Sequence, residues 1–399
     1  MSKPAVLFYC QPSDGMGQLV RCVALGTSLS EHFHVVILSS GPTPRQMDIP
    51  ESVDVVQLPP LGMDLDSNVV SLEDKQAVGE SLKVRRDFIL DTFIGLKPRV
   101  LIIELFPFGQ TILKKELLPL IEYARNGNGN GTLILCSLRD ILVGNRQGQR
   151  RQDDKTAGVL EKYFDAVIVH SDPLFARLEE SFQPQDVMST PVYYSGFVAR
   201  GVLTQSVAPK KEERLLVSAG SGLVGMPLFR AAIEAHRLLW AAERLPMTIV
   251  AGPLLPEKDW LNLQELAANL PSLELKRAVP DLACELAKVH WSVSQCGYNT
   301  ATETLVSGTA ALFVPYSRGQ KIEQIDRAQR LTYWSASRLL MQHHLNGASL
   351  ANEIHQLVKF KPRSPNFNMA GADNSATLIN QMVNSDGAAG IVHGAGNLA

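Results

Sequence analysis

The sequence predicts an α/β protein made of two doubly wound, Rossmann-like domains. Three observations carry this. Short apolar runs bounded by glycine, proline or polar residues alternate with stretches of helical periodicity along most of the chain, the pattern of parallel sheets built from βαβ units. At 399 residues the chain is too long for one ordinary core, so two domains are the natural count. A glycine-rich turn follows the first apolar strand of each half, at Gly15-Met-Gly17 and at Gly220-Ser-Gly222.

In the first half, Val6–Cys10 reads as a buried strand, followed by Gln11-Pro-Ser-Asp-Gly-Met-Gly-Gln18 and a helix over Leu19–Ser30. His34–Leu38 and Val53–Gln57 are the next strands. The turn is only part of a dinucleotide fingerprint: Val20 stands where the third glycine would be, and Leu38-Ser39-Ser40-Gly41 ends its strand without a ribose-binding carboxylate, which argues against NAD. Pro60 to Glu80 is expected to be a loop with a short helix. Leu82–Leu96 is helical, with Arg85 and Arg86 expected on a solvated face. Val100–Glu104 is a strongly apolar strand ending in a carboxylate; Glu104 is either a site residue at a strand's carboxyl end or a cap on the Leu113–Arg125 helix. Leu133–Ser137, Ala166–His170 and Tyr193–Gly196 complete about seven strands, and the arginine-rich Asn145–Lys155 reads as an exposed loop.

Residues 202–213 are polar and contain proline, as an interdomain linker does. They separate an N-terminal domain (1–201) from a C-terminal one (214–384), and the small, glycine-rich 385–399 reads as a disordered tail. The second sheet is expected from Leu215–Val217, Thr248–Val250, Leu273–Leu275, Trp291–Ser294 and Ala310–Val314, with a helix over Leu228–Ala241.

Composition excludes several classes. Lys and Arg (38) nearly balance Asp and Glu (40), so no global charge favours nucleic acid. No apolar run approaches the ~20 residues of a membrane span, and the N-terminal apolar stretch is a first strand, not a signal peptide. Cys10, Cys22, Cys136, Cys284 and Cys296 are scattered, without C-x-x-C, and read as structural thiols in a reducing cytoplasm. Neither the histidines nor the cysteines show metal-ligand spacing, and no cofactor is implied.

The most informative stretch is Trp291–Gln324, a strand, a glycine turn at Gly297, a helix from about Thr300 and a second strand ending at Pro315. A glycine where a helix N-terminus can meet an anion suits a phosphate. Thr300-x-x-Glu303 also fits a capping box, in which Glu303 would only satisfy a backbone amide. The order of parts is more specific: Ser-x-x-Gly297, then Asn299-Thr300-x-x-Glu303, then Gly-x-x-x-Leu-x-Val-Pro, then Glu323-Gln324. In that order it resembles the donor-nucleotide motif of GT-B glycosyltransferases, most of all family 28, whose two Rossmann-like domains face each other across a cleft.

The resemblance implies that Gly220, Ser221 and Gly222 face a diphosphate and that Val279 holds the nucleobase by backbone contacts. It further implies that Glu303 takes the ribose hydroxyls and that Glu323 and Gln324 touch the donor sugar. Gly15, Gly17 and Gln18 fall on the family's N-terminal loop, but the histidine expected there is Gln18, which cannot take a proton at neutral pH. The base is therefore sought among Asp14, Glu104 and His170, in that order, with Asp14 also open to a turn role. The implied activity is metal-independent transfer of a sugar from a nucleoside diphosphate sugar, UDP-linked, to an unknown acceptor. Alternatives are a nucleotide-sugar 2-epimerase and a catalytically idle nucleotide-sugar binder. The expected location is cytoplasmic, with room for peripheral membrane contact if the acceptor is a lipid.

Overall fold

Two parallel sheets organise the chain, and the apolar runs are their strands. The computed structural model describes residues 3–11, 15–40, 47, 49–63, 69–71, 78–109, 111–128, 131–142, 148–200, 209–317 and 322–385. The N-terminal sheet comprises β1 (Ala5–Cys10), β2 (His34–Ser39), β3 (Val53–Gln57), β6 (Val100–Glu104), β7 (Leu133–Arg139), β8 (Ala166–His170) and β9 (Val192–Tyr194) in the order β3-β2-β1-β6-β7-β8-β9. All its pairs are parallel. The C-terminal sheet comprises β10 (Glu212–Ser218), β11 (Met247–Val250), β12 (Leu273–Lys276), β13 (Val289–Ser294), β14 (Ala310–Phe313) and β15 (Ser337–Leu339) in the order β12-β11-β10-β13-β14-β15. Its strands also run parallel. The order reverses between β1 and β6 in one sheet and between β10 and β13 in the other, which makes two switch-point crevices at carboxyl ends.

Every residue of β6 (VLIIE) is buried, because a central parallel strand has helices over both faces and therefore shows no alternation. On one face lies α1 (Gly17–Leu29), where Gly26 permits close approach: a Cβ there would meet Ile37 and Val53 at 3.3 Å. On the other lie α2 (Val78–Leu96) and α3 (Lys114–Tyr123). Arg85 of α2 corrects the expectation of a solvated face. It is fully buried, and its Nε and Nη2 donate to the two carboxylate oxygens of Glu116 at 2.8 and 2.9 Å, while Nη1 donates to the Pro59 carbonyl at 2.8 Å. Arg86 does lie at the surface, beside Asp87.

Two further expectations change. Pro60–Glu80 contains an antiparallel hairpin of β4 (Leu61–Met63) and β5 (Val69–Ser71). Asn145–Lys155 was expected as a loop, but α4 runs over Gln149–Tyr163. Its buried positions Asp153, Thr156, Ala157 and Leu160 have helical spacing, yet that stripe begins only after Arg150 and Arg151, so the polar start concealed it.

The C-terminal sheet is flanked by α5 (Met226–Glu243), α6 (Glu257–Ala267), α7 (Leu282–Ala287), α8 (Tyr298–Ser307), α9 (Glu323–Tyr333) and α10 (Gly347–Lys359). β10 begins inside the expected linker, whose residues 202–208 lie outside the described ones. The last helix, α11 (Gly371–Asn384), belongs to the C-terminal half by sequence but packs on α1, where Ser28 Oγ donates to Asp373 at 2.6 Å. The expected tail, apart from Ser385, is outside the described residues. One apolar cluster runs unbroken from α1 and β1 through Cys296, Tyr298 and Ala328 to Phe367 and Ile379, so the domains share a core. No helix among the described residues is long and apolar enough to cross a membrane.

Breaking a buried ion pair by removing one partner strands a charge, at a cost of roughly 3–5 kcal/mol. Arg85→Met should lower stability by that amount in urea denaturation, and adding Glu116→Leu should recover much of it. A single variant as stable as the wild type would show that the pair is not structural.

Candidate active site

The carboxyl ends of the two sheets confront each other at their glycine loops. A Cβ on Gly15, whose φ is +122°, would come within 2.7 Å of Ser221 Oγ, so only glycine allows this contact between the domains. One turn on, the Asn299 side-chain amide donates to the Gly17 carbonyl at 3.0 Å. Gly15, Gly17, Ser221 and Asn299, named from sequence as four separate candidates, thus meet at one place. Gln18 follows as a buried residue of α1.

On the C-terminal side the loop between β10 and α5 turns through Gly220 (φ +56°) and Gly222 (φ +94°). A Cβ on Gly222 would sit 2.4 Å from the Ala251 carbonyl, so this loop lies directly on the one after β11. Helix α5 then starts behind Gly225 with no acidic residue in its first turn, and α8 starts behind Gly297 in the same way. Neither helix N-terminus carries a carboxylate of its own to offset its positive dipole end, which suits an anion.

The capping-box reading of Glu303 does not survive the geometry. The N-cap is Gly297, Thr300 is the third helical residue and Glu303 the sixth, beyond the first turn that a capping side chain serves. Glu303 is buried at 5 % exposure, and burial, reinforced by Asp281, pushes its carboxyl up to about 8 against a lowering by Arg200. Asp281 caps α7 by accepting from the Ala283 amide at 2.8 Å. Val279, two residues earlier, packs beside Leu216, Val250, Leu286 and Val289. Asp281, whose charge acts on Glu303, thus stands two residues from the stretch expected to hold a nucleobase.

Glu323 and Gln324 open α9. Gln324 accepts from the Tyr316 amide at 3.0 Å, and Glu323 reaches across to Arg139 Nη2 at 3.3 Å. One turn further, Arg327 makes a bidentate pair with Asp140, both contacts at 2.7 Å, and donates to the Cys296 carbonyl at 2.8 Å. Burial alone would raise Asp140, but Arg327 outweighs it and holds the carboxyl below the usual range. Beside this seam lies a cavity of about 520 Å³ whose lining includes Asp140, Arg150, Arg177, Ile322, Asp326 and Arg330.

The three candidate bases fare differently. Asp14 lies outside the described residues. Glu104 is 1 % exposed and ion-paired with Arg21, and it accepts from Ser137 Oγ at 2.5 Å. His170 is also buried: Nε2 meets Ser137 Oγ and Nδ1 meets Ser195 Oγ, each at 2.9 Å. Burial, aided by Arg21, pushes its imidazole down to about 3, so it is neutral. Glu104 and His170 belong to one buried chain inside the N-terminal domain and present no free atom to the crevice. Arg139, Asp140, Tyr298 and Arg327 had no role in the sequence reading; the only signal was the position of Arg139-Asp140 at a strand's carboxyl end.

Comparison with known proteins bears on the fold and on the C-terminal half. Residues 216–383 match the family model described as Glycosyltransferase family 28 C-terminal domain. A relative from Cupriavidus necator, UDP-N-acetylglucosamine–N-acetylmuramyl-(pentapeptide) pyrophosphoryl-undecaprenol N-acetylglucosamine transferase, is 30 % identical over 146 residues, 37 % of this chain and 40 % of that protein. The chain spans less than half the length of the first curated relatives it matches. Among solved structures, Acinetobacter baumannii MurG aligns at a TM-score of 0.56 and 16 % identity over 95 % of this chain and 100 % of that one. A Listeria monocytogenes protein classed as a UDP-N-acetylglucosamine 2-epimerase aligns at 0.59 and 12 %, over 96 % of each chain. The chain thus has the GT-B fold and resembles family 28 through its C-terminal half.

Because the folded pKa of Glu303 lies above its ordinary 4.5, the folded state holds a proton that the unfolded state has lost between those values. Its contribution to stability falls as pH rises from about 4.5 to about 8 and is flat above. Glu303→Gln, which mimics the protonated form, should remove that slope and be the more stable protein at pH 9. Urea midpoints at pH 6 and 9 for both proteins test this; parallel pH dependence would place the carboxyl in water.

Proposed function

We propose that the chain is a glycosyltransferase that moves a sugar from a UDP-linked donor to an acceptor bound against the N-terminal domain, without a metal ion. The observation that carries this is Glu303: a buried carboxyl with no capping duty, close enough to Asp281 to feel its charge and in sequence order with the glycine loop and the Glu323-Gln324 pair. The match of residues 216–383 to the family 28 C-terminal domain supports the same reading.

In this reading the glycine loop at Ser221, ahead of α5, receives the diphosphate, and the dipole of α5 offsets charge on the leaving group that a metal would otherwise meet. Glu303, ionised in the complex, accepts both ribose hydroxyls. The acceptor hydroxyl, held near the 520 Å³ cavity, attacks the anomeric carbon; the new C–O bond forms as the bond to the diphosphate breaks, and UDP departs. The acceptor's proton goes to a base contributing about 10²–10⁴-fold. Asp14 is the proposed base, because its neighbour Gly15 lies against Ser221, whereas Glu104 and His170 are occupied inside the domain. The epimerase reading draws on the shared fold of the Listeria protein; turnover of UDP-N-acetylglucosamine to its epimer without any acceptor would favour it.

Glu303→Ala should weaken UDP binding by roughly one to three orders of magnitude, the worth of one or two charge-assisted hydrogen bonds. The titration belongs in EDTA, where the wild type should still bind and turn over; activity lost in EDTA and restored by Mg²⁺ would end the metal-independent reading. Wild-type affinity for UDP should rise with pH up to about 8, since binding must displace the proton that burial keeps on Glu303.

Asp14→Asn should cut donor-saturated turnover by at least ~100-fold, with UDP affinity intact. Near-normal turnover would remove Asp14 as the base.

A further inference from the structure

Among the described residues three ion pairs cross the seam from α9, those of Glu323, Arg327 and Arg330 with Arg139, Asp140 and Glu180, and the first two differ in kind. Arg139 and Asp140 are consecutive at the end of β7, while Glu323 and Arg327 are one turn apart on α9 and so share a helix face. Arg327–Asp140 is saturated, with two contacts at 2.7 Å and a third to the Cys296 carbonyl. Arg139–Glu323 has a single contact at 3.3 Å. It leaves Arg139 Nε, a donor, and Glu323 Oε2, an acceptor, buried and without a hydrogen-bond partner. Both side chains still reach solvent, at 28 % and 13 % exposure. Unmade bonds on buried polar atoms are costly, and the neighbouring pair shows that the same two elements can satisfy such groups fully.

We propose, resting on the nucleotide-sugar reading above, that Arg139 of the N-terminal domain is a positioning and specificity residue for the transferred sugar. With Glu323 it forms a split site, a donor on one side and an acceptor on the other, for a sugar hydroxyl. A hydroxyl can accept from Nε–H and donate to a carboxylate at once, so one sugar hydroxyl has the chemistry to satisfy both atoms once this loosely held pair opens to admit it. A uronate carboxyl cannot, because it has no proton to give Glu323 and meets its charge. The negative charge of Glu323 therefore favours a neutral hexose or hexosamine over a uronate as the transferred group. Since β7 brings Arg139 from the other domain, the C-terminal domain by itself would hold the nucleotide but orient the sugar incompletely.

The test is calorimetric titration of wild type, Arg139→Met and Arg139→Lys with UDP, UDP-N-acetylglucosamine, UDP-glucose and UDP-glucuronate, after thermal melts establish folding. Wild type should bind a neutral UDP-sugar more tightly than UDP-glucuronate. Arg139→Met should weaken that neutral sugar roughly tenfold or more while UDP changes less than about twofold. Arg139→Lys, a point charge without the planar fork, should lose part of the same sugar-specific affinity, and it decides the matter if the methionine variant does not fold. A merely structural role would shift UDP and UDP-sugar together, and that result, or glucuronate binding as well as the best neutral sugar, overturns the proposal. If wild type binds UDP but the variants lose nothing specific to the sugar, only this inference fails. If wild type binds none of the four, the nucleotide-sugar reading fails and takes this one with it.

Discussion

The structure depends on a buried arginine, Arg327, that crosses from one domain to the other. Taking a guanidinium and a carboxylate out of water costs several kcal/mol per ion unless geometry and extra hydrogen bonds offset it. Arg327 meets that condition with a bidentate contact to Asp140 and a third bond to the Cys296 carbonyl. The Tyr298 ring centroid lies 5.9 Å from this guanidinium and 5.1 Å from that of Arg21, a placement that favours cation–π attraction. Its hydroxyl donates to the His170 carbonyl at 2.8 Å and accepts from the Val198 amide at 2.9 Å. A bidentate pair tolerates little rotation, so it sets orientation as well as distance between the sheets.

The shared apolar core makes this polar fastening possible. The cluster spanning α1, α8, α9 and α11 excludes water from the seam, which strengthens every charge contact there. α11 returning to α1 closes the domain pair from a second side. With both fastenings in place, the glycine loops of β1 and β10 are held near enough that Gly15 lies against Ser221. The crevice is thus a product of interdomain packing and of the parallel topology that puts helix N-termini at strand ends.

The same seam separates residues that remain open to a ligand from those already spent. Glu104 and His170 sit at strand ends where site residues are expected, yet Arg21 and Ser137 occupy them. Arg85 looked like a surface arginine and is a core ion-pair partner of Glu116. Glu303 goes the other way: a local motif allowed a cap, and the true start of the helix at Tyr298 leaves it a buried carboxyl instead.

The sequence by itself determined the two-sheet plan, the strands of both sheets except β15, and the C-terminal order of glycine loop, Val279, Glu303 and Glu323-Gln324, but not the β4–β5 hairpin. These are local properties: apolar runs, glycine punctuation and spacing along one domain's chain. Only the tertiary structure decided which charges pair, because Arg21 finds Glu104 and Arg327 finds Asp140 across 83 and 187 residues of sequence. No periodicity encodes such a distance. It also decided that α4 replaces an arginine-rich loop, since its buried stripe has meaning only against the sheet it covers, and that α11 belongs spatially to the first domain. A carboxylate's chemistry follows from its neighbours and its water, and those are fixed only when the two domains come together.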